Sequence, residues 1–171
     1  MRLAKLLAIL AILLFPAPVL ALEGDWELAG DASAFLMPDH ELYGAGAEFL
    51  ARYSILDGFS LGAGLGAFGV RDGNLARSHA LFRLHAGASY ALDVLQWVPG
   101  VGVHFSALFA DDDARKWHRD AHGLGLDFEA FVQYRGIRHL GIALFFRYHV
   151  VFADSDYMTV GLRFSWFSGE F

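Results

Sequence analysis

Residues 43–55 read Tyr-Gly-Ala-Gly-Ala-Glu-Phe-Leu-Ala-Arg-Tyr-Ser-Ile, and their alternation decides the fold. Tyr43, Ala45, Ala47, Phe49, Ala51, Tyr53 and Ile55 are apolar, whereas Gly44, Gly46, Glu48, Leu50, Arg52 and Ser54 form a mixed set of small, polar and charged residues. A period of two belongs to an extended strand, whose successive side chains point to opposite faces of a sheet. One face of this strand is oily along its whole length; the other carries Glu48 and Arg52.

The same split recurs along the chain. Trp26, Leu28, Ala32, Ala34 and Leu36 precede it, with Glu27, Asp31 and Ser33 between them. After it come Phe59, Leu61, Ala63, Leu65 and Ala67, then Ala80, Phe82, Leu84, Ala86, Ala88 and Tyr90 against Arg83 and His85. Val101, Val103, Phe105, Ala107 and Phe109 oppose Gly100, Gly102, His104 and Ser106, and Leu124, Leu126, Phe128, Ala130, Val132 and Tyr134 oppose Asp127, Glu129 and Gln133. Leu140, Ile142, Leu144, Phe146, Tyr148 and Val150 oppose Arg147 and His149, and Met158, Val160, Leu162, Phe164 and Trp166 oppose Thr159, Arg163 and Ser165. The eight strands predicted are each about 10 to 14 residues long, where a tilted membrane-spanning strand needs roughly 9–11.

The connections alternate in character. Asp57-Gly58 is a two-residue hairpin signal, and the links at 93–96 and 135–138 are similarly tight; those at 37–42, 72–77, 110–122 and 152–156 are longer on average and more polar. Short turns on one side and longer loops on the other are the habit of an outer-membrane meander. That arrangement places Trp26, Tyr53, Phe59, Tyr90, Trp97, Tyr134 and Trp166 near the short-turn edge as an aromatic girdle, and Tyr43, Phe109, Tyr148 and Tyr157 near the opposite one. Aromatic rings with a polar tip suit both membrane interfaces. Lipid offers no partner to a free sheet edge, so the eighth strand must close on the first. The expected fold is an all-β, eight-stranded antiparallel up-and-down transmembrane β-barrel, with inward glycines making room for larger inward neighbours.

Composition agrees with this reading. The 171 residues are 56% hydrophobic and 15% aromatic, with 19 glycines, and no segment of the mature chain approaches the ~18 apolar residues of a spanning helix. A net charge of −6 makes nucleic acid an improbable partner. With no cysteine there is no disulfide, thiol nucleophile or thiolate metal site. Arg2 and Lys5, the apolar run from Leu6 to Phe15, and Val19-Leu20-Ala21 form the three parts of a secretory signal peptide. Residues 1–21 are therefore expected to be cleaved from a mature barrel spanning 22–171.

The leader, the eight runs and the closing Val160-Gly161-Leu162-Arg163-Phe164-Ser165-Trp166-Phe167 resemble small outer-membrane barrels of the OmpA/OmpX type. The resemblance covers the whole mature chain. It implies an address in a Gram-negative-type envelope, and the partners of such proteins: outer-membrane lipid and lipopolysaccharide, periplasmic chaperones and the barrel-assembly machinery. The family usually ends on a terminal Phe taken as an assembly signal; here Phe171 is terminal but out of phase with Phe164 and Trp166.

The charged and titratable residues of the inner face include Glu48, Arg52, Arg83, His85, His104, Asp127, Glu129, Arg147, His149 and Arg163. Near balance in sign predicts an ion-paired polar lumen, since isolated charges there would be expensive. No cofactor is called for. The leading reading is a non-enzymatic barrel with a structural or adhesive role, acting through loops or partners. A narrow pore for ions or small solutes is one alternative, with His85, His104 and His149 as proton-sensitive switches. A lipid-modifying hydrolase is another: His104 and Ser106 share a face and, with Glu129 or Asp127, could form a base–nucleophile arrangement. The loop at 110–122 carries Asp111, Asp113, His118 and His122, weak candidates for a metal site. A soluble ligand-binding barrel would require the opposite polarity, with apolar residues inside.

Overall fold

The computed structural model describes residues 24–38, 41–72, 78–92, 96–110, 123–137, 139–152 and 156–169. They form eight strands: β1 (Trp26–Met37), β2 (Leu42–Leu56), β3 (Phe59–Asp72), β4 (Ser78–Ala91), β5 (Trp97–Ala110), β6 (Gly123–Ile137), β7 (Leu140–Val151) and β8 (Tyr157–Phe167). Each pairs antiparallel with its sequence neighbours, and β8 returns to β1 to close the barrel in the order β1 to β8. The closing ladder runs from Glu27↔Phe167 to Leu36↔Met158, so neither strand is left with a free edge.

Side-chain alternation persists along the wall. In β1 every even-numbered residue is exposed and every odd-numbered one buried, and β7 shows the same alternation over nearly its whole length. Among the described residues thirty large apolar side chains have 37% to 70% of their surface exposed, from Tyr53 to Phe105, most of them on the outward phase of the strands. Contiguous apolar exposure on that scale is incompatible with water and suits a hydrocarbon surround. Even the shortest strand, at 11 residues, reaches roughly 36 Å at about 3.3 Å per residue, enough to cross the apolar layer when tilted.

The short turns follow their local chemistry. Asp57-Gly58 joins β2 to β3, with Gly58 at φ 73°, a left-handed conformation that glycine adopts without steric cost. β6 continues further than the sequence predicts: pairing with β7 slips after Tyr134 and resumes at Ile137↔Leu140. A bulge thus shortens the expected 135–138 link to two residues. His139 there takes φ 60°, and its carbonyl accepts a 3.0 Å hydrogen bond from the Phe167 amide.

Glycine sets the volume of the interior. A Cβ at Gly62 would stand 2.7 Å from Arg52 Cγ, and one at Gly66 2.5 Å from Glu48 Cγ; in the ladder Gly62 faces Arg52 and Gly66 faces Glu48. Gly64 makes room in the same way for His85, Gly87 for His104, and Gly100 for Phe131. Each of these five inward side chains lies over a ladder partner that has none.

Candidate functional site

The lumen contains two chemically distinct layers. Toward the long connections lies an apolar cluster of Phe35, Met37, Leu42, Phe68, Val70, Leu81, Leu108, Ala110, Val151 and Tyr157, none more than 7% exposed. Phe35 packs against Phe68 at 5.4 Å between ring centroids and against Tyr157 at 4.9 Å. These aromatic contacts close that end of the barrel with oil.

Below the cluster sits a network of buried ions. Among the described residues it holds five carboxylates (Glu27, Asp31, Glu48, Asp127 and Glu129) and four guanidinium groups (Arg52, Arg83, Arg147 and Arg163). Arg147 on β7 donates to Asp31 Oδ2 at 2.8 Å, to Glu48 and to Glu129, joining four strands through one side chain. Arg163 grips Asp31 in a fork, Nε to Oδ1 and Nη2 to Oδ2, both at 2.8 Å. It also reaches Glu129 at 3.0 and 2.9 Å. Arg52 donates to Glu129 and lies 3.4 Å from Glu27. Planar guanidinium forks suit such sharing, because each offers five donors in fixed directions. Phe145 and Phe131 complete the packing, with Arg147 4.7 Å from the first ring centroid and Arg52 5.2 Å from the second.

Arg83 orients the histidines. Its Nη2 lies 2.6 Å from Glu48 Oε2 and 2.9 Å from His85 Nδ1, and its Nη1 lies 3.0 Å from His149 Nε2. A guanidinium only donates, so these two ring nitrogens accept. His149 Nδ1 therefore carries its proton and donates it to Asp127 Oδ1 at 2.7 Å, while the His85 proton sits on Nε2, a buried atom without a hydrogen-bond partner. Toward the short-turn mouth the network thins into neutral groups: Ser165 Oγ donates to Glu27 Oε1 at 2.6 Å, and Gln133 Nε2 donates to both.

All ten inner-face residues singled out from the sequence (Glu48, Arg52, Arg83, His85, His104, Asp127, Glu129, Arg147, His149 and Arg163) lie buried inside the barrel. His104 and Ser106 do not form a base–nucleophile pair. Ser106 Oγ donates instead to Asp127 Oδ1 at 2.5 Å, and His104, whose Nδ1 has no hydrogen-bond partner, lies against the His85 ring at 5.4 Å. Glu129 is committed to three arginines. Among the described residues no group of three or more His, Asp or Glu could hold a metal ion; Asp111, Asp113, His118 and His122 lie outside the described residues, as do residues 1–21 and Phe171.

At the short-turn edge Trp26, Trp97 and Trp166 are 49%, 58% and 46% exposed on the outer wall. Tyr53 accompanies Trp26 at 5.1 Å and Tyr134 accompanies Trp97 at 5.0 Å; Phe59, Tyr90 and Tyr134 are half-buried. At the opposite edge Tyr43, Phe109 and Tyr148 face outward. Tyr157 does not. It shares the phase of Thr159 and Arg163, so it points inward, 1% exposed, and stacks on His149 at 3.9 Å.

Among the described residues, several lumen groups were not singled out from the sequence. Glu27 and Asp31 stand on the alternating list of β1 yet supply counter-charges to Arg52, Arg147 and Arg163. Gln133 and Ser165 tie the mouth. The apolar cluster was signalled by a loss of alternation at strand ends, as in Phe35-Leu36-Met37 and Ala107-Leu108-Phe109-Ala110.

No family model matches the chain, and no curated protein does. Among solved structures the barrel is similar to Neisserial surface protein A, with a TM-score of 0.63 at 11% identity over 83% of this chain and 95% of that one. It is also similar to Ail, the attachment invasion locus protein of Yersinia pestis (TM-score 0.52, 10% identity, 85% of this chain and 99% of that one). Ail has also been solved in complex with the heparin analogue sucrose octasulfate. The N-terminal β-barrel domain of Pseudomonas aeruginosa OprF follows at 0.50 and 13% identity over 84% and 98%. The chain thus has the fold of small eight-stranded outer-membrane barrels.

Proposed function

We propose that this chain is a non-enzymatic integral protein of a bacterial-type outer membrane, exported through a signal peptide at residues 1–21, with a fixed lumen and an interacting long-loop face. The carrying observation is the pairing of an apolar outer wall with an interior of interlocked ions capped by oil. Such an interior is a structural plug. Its partners are the lipid and lipopolysaccharide around it, periplasmic chaperones and the barrel-assembly machinery on its way there, and whatever the loops contact. The similarity to Ail, solved with a polysulfated sugar, supports a search for anionic glycans among those contacts.

The pore reading is weaker, since a solute would have to cross both the apolar cluster and the arginine network; a dry apolar constriction is itself a barrier to ions. The hydrolase reading loses its nucleophile to Asp127. Integration is tested by carbonate extraction together with heat-modifiable gel mobility. A membrane-retained protein whose unheated band runs faster is the expected result; a water-soluble, heat-insensitive one overturns the proposal.

A further inference from the structure

The outer wall is not uniform. Near the long-connection rim, Ala34, Ala45 and Gly69 are ladder neighbours in β1, β2 and β3 and form the floor of a groove of about 560 Å³. The next row toward the rim, Leu36, Tyr43, Arg71 and Ser78, forms its upper wall. Away from the rim the floor continues through Ala32, Ala47 and Ala67, and beyond them Phe49 and Leu65 rise again. On β5 to β8 the outward positions are bulky instead, including Phe105, Leu124, Phe128, Leu144 and Phe164.

A smooth groove would accept any acyl chain; Arg71 makes it selective. Among the described residues Arg71 is the one cation on the outer wall, because Arg52, Arg83, Arg147 and Arg163 are buried in the lumen and Arg135 binds Gln133 at the short-turn mouth. Arg71 is exposed and shares its row with the hydroxyls of Tyr43 and Ser78. A guanidinium at headgroup depth, set over an apolar groove, complements a phosphate carried by an acylated headgroup.

We propose that this groove seats one acyl chain of lipid A, the phosphorylated anchor of lipopolysaccharide, with a lipid A phosphate paired to Arg71 and hydrogen-bonded by Tyr43 and Ser78. The inference rests on the outer-membrane reading with long connections outward, which places this rim in the leaflet built of lipopolysaccharide; phospholipid would meet the short-turn edge.

The test is native mass spectrometry of the protein purified from membranes, titrated with lipid A, dephosphorylated lipid A and phosphatidylglycerol. A single lipid A adduct is expected, weakened about tenfold by Arg71→Ala, by loss of the phosphates and by filling the groove in Ala45→Phe; phosphatidylglycerol binds at least tenfold more weakly. Arg71→Lys retains part of the affinity. Equal lipid A retention by wild type and Arg71→Ala, or equal binding of phosphatidylglycerol, overturns the site alone. So does a dimer abolished by Ala45→Phe, which would assign the groove to a second copy. Because Arg71 is exposed, its variants remain decisive even if Ala45→Phe does not fold. A protein that fails carbonate extraction overturns the membrane reading and the site with it.

Discussion

Asp31 of β1 and Glu48 of β2 stand directly opposite each other in the ladder, two carboxylates facing the same lumen. Like charges so placed repel, and neither strand answers the other. The answer comes from across the barrel: Arg147, on β7, donates to both.

Arg147→Met should therefore be severe. It leaves Asp31, Glu48 and Glu129 each short of a buried cation, and breaking a buried ion network from one side costs about 3–5 kcal/mol. Urea unfolding in lipid vesicles measures this. Adding Glu48→Gln to Arg147→Met should recover part of the loss, since the double variant removes one of the stranded charges.

Two glycines on adjacent strands should respond oppositely. A Cβ at Gly44 would meet the Gly69 carbonyl and stand 2.8 Å from Val70 Cα, backbone that cannot step aside. Gly44→Ala should cost about 1–3 kcal/mol. Gly30 faces outward with nothing within 4 Å of a Cβ, so Gly30→Ala should change stability by less than about 0.5 kcal/mol in the same assay.

Ser106→Ala removes a hydrogen bond to a buried carboxylate and should destabilise by roughly 1.5–3 kcal/mol. It should leave the acyl composition of the surrounding lipid unchanged, as read by mass spectrometry of extracted lipid A and phospholipid. An acyl loss that depended on Ser106 would restore the hydrolase reading.

In planar bilayers the protein should insert without discrete conductance steps. Phe35→Ser with Phe68→Ser opens the apolar layer but leaves Arg147, Arg163 and Glu129 locked beneath it, so this variant should also be silent. Steady ion current through the wild type would show that the plug moves.

Trp26, Trp97 and Trp166 lie along one edge of the wall. With the fourth tryptophan of the sequence replaced in Trp117→Phe, their fluorescence in vesicles should be quenched most strongly by lipids labelled near the headgroup, and less by lipids labelled at the chain terminus. Reversed quenching would place these rings at the bilayer centre.

The outer wall was legible because lipid selects every outward side chain by one criterion, so a period of two persists in all eight strands. The lumen was less legible. Phase identifies Asp31 and Arg147 as inward, but which guanidinium crosses the barrel to which carboxylate depends on rotamers and on strands distant in sequence. At the long-connection end both faces are apolar, the alternation disappears, and Phe35, Phe68 and Leu108 are hidden in runs that read equally well on either face. Tyr157 was misplaced for the same reason: its aromatic character fits an interface, whereas its parity with Arg163 puts it inside.

The matching of inward glycines to bulky inward partners has a consequence for assembly. A strand that slips by one residue exposes its charges to lipid and is rejected by the membrane itself. A slip of two residues preserves the oily exterior, so the bilayer cannot detect it, yet it changes the stagger and with it the girth of the cylinder. It would also move Arg52 off Gly62 and Glu48 off Gly66. The interior therefore discriminates among closures that lipid would accept equally, acting as the gauge by which this chain settles on a single shear.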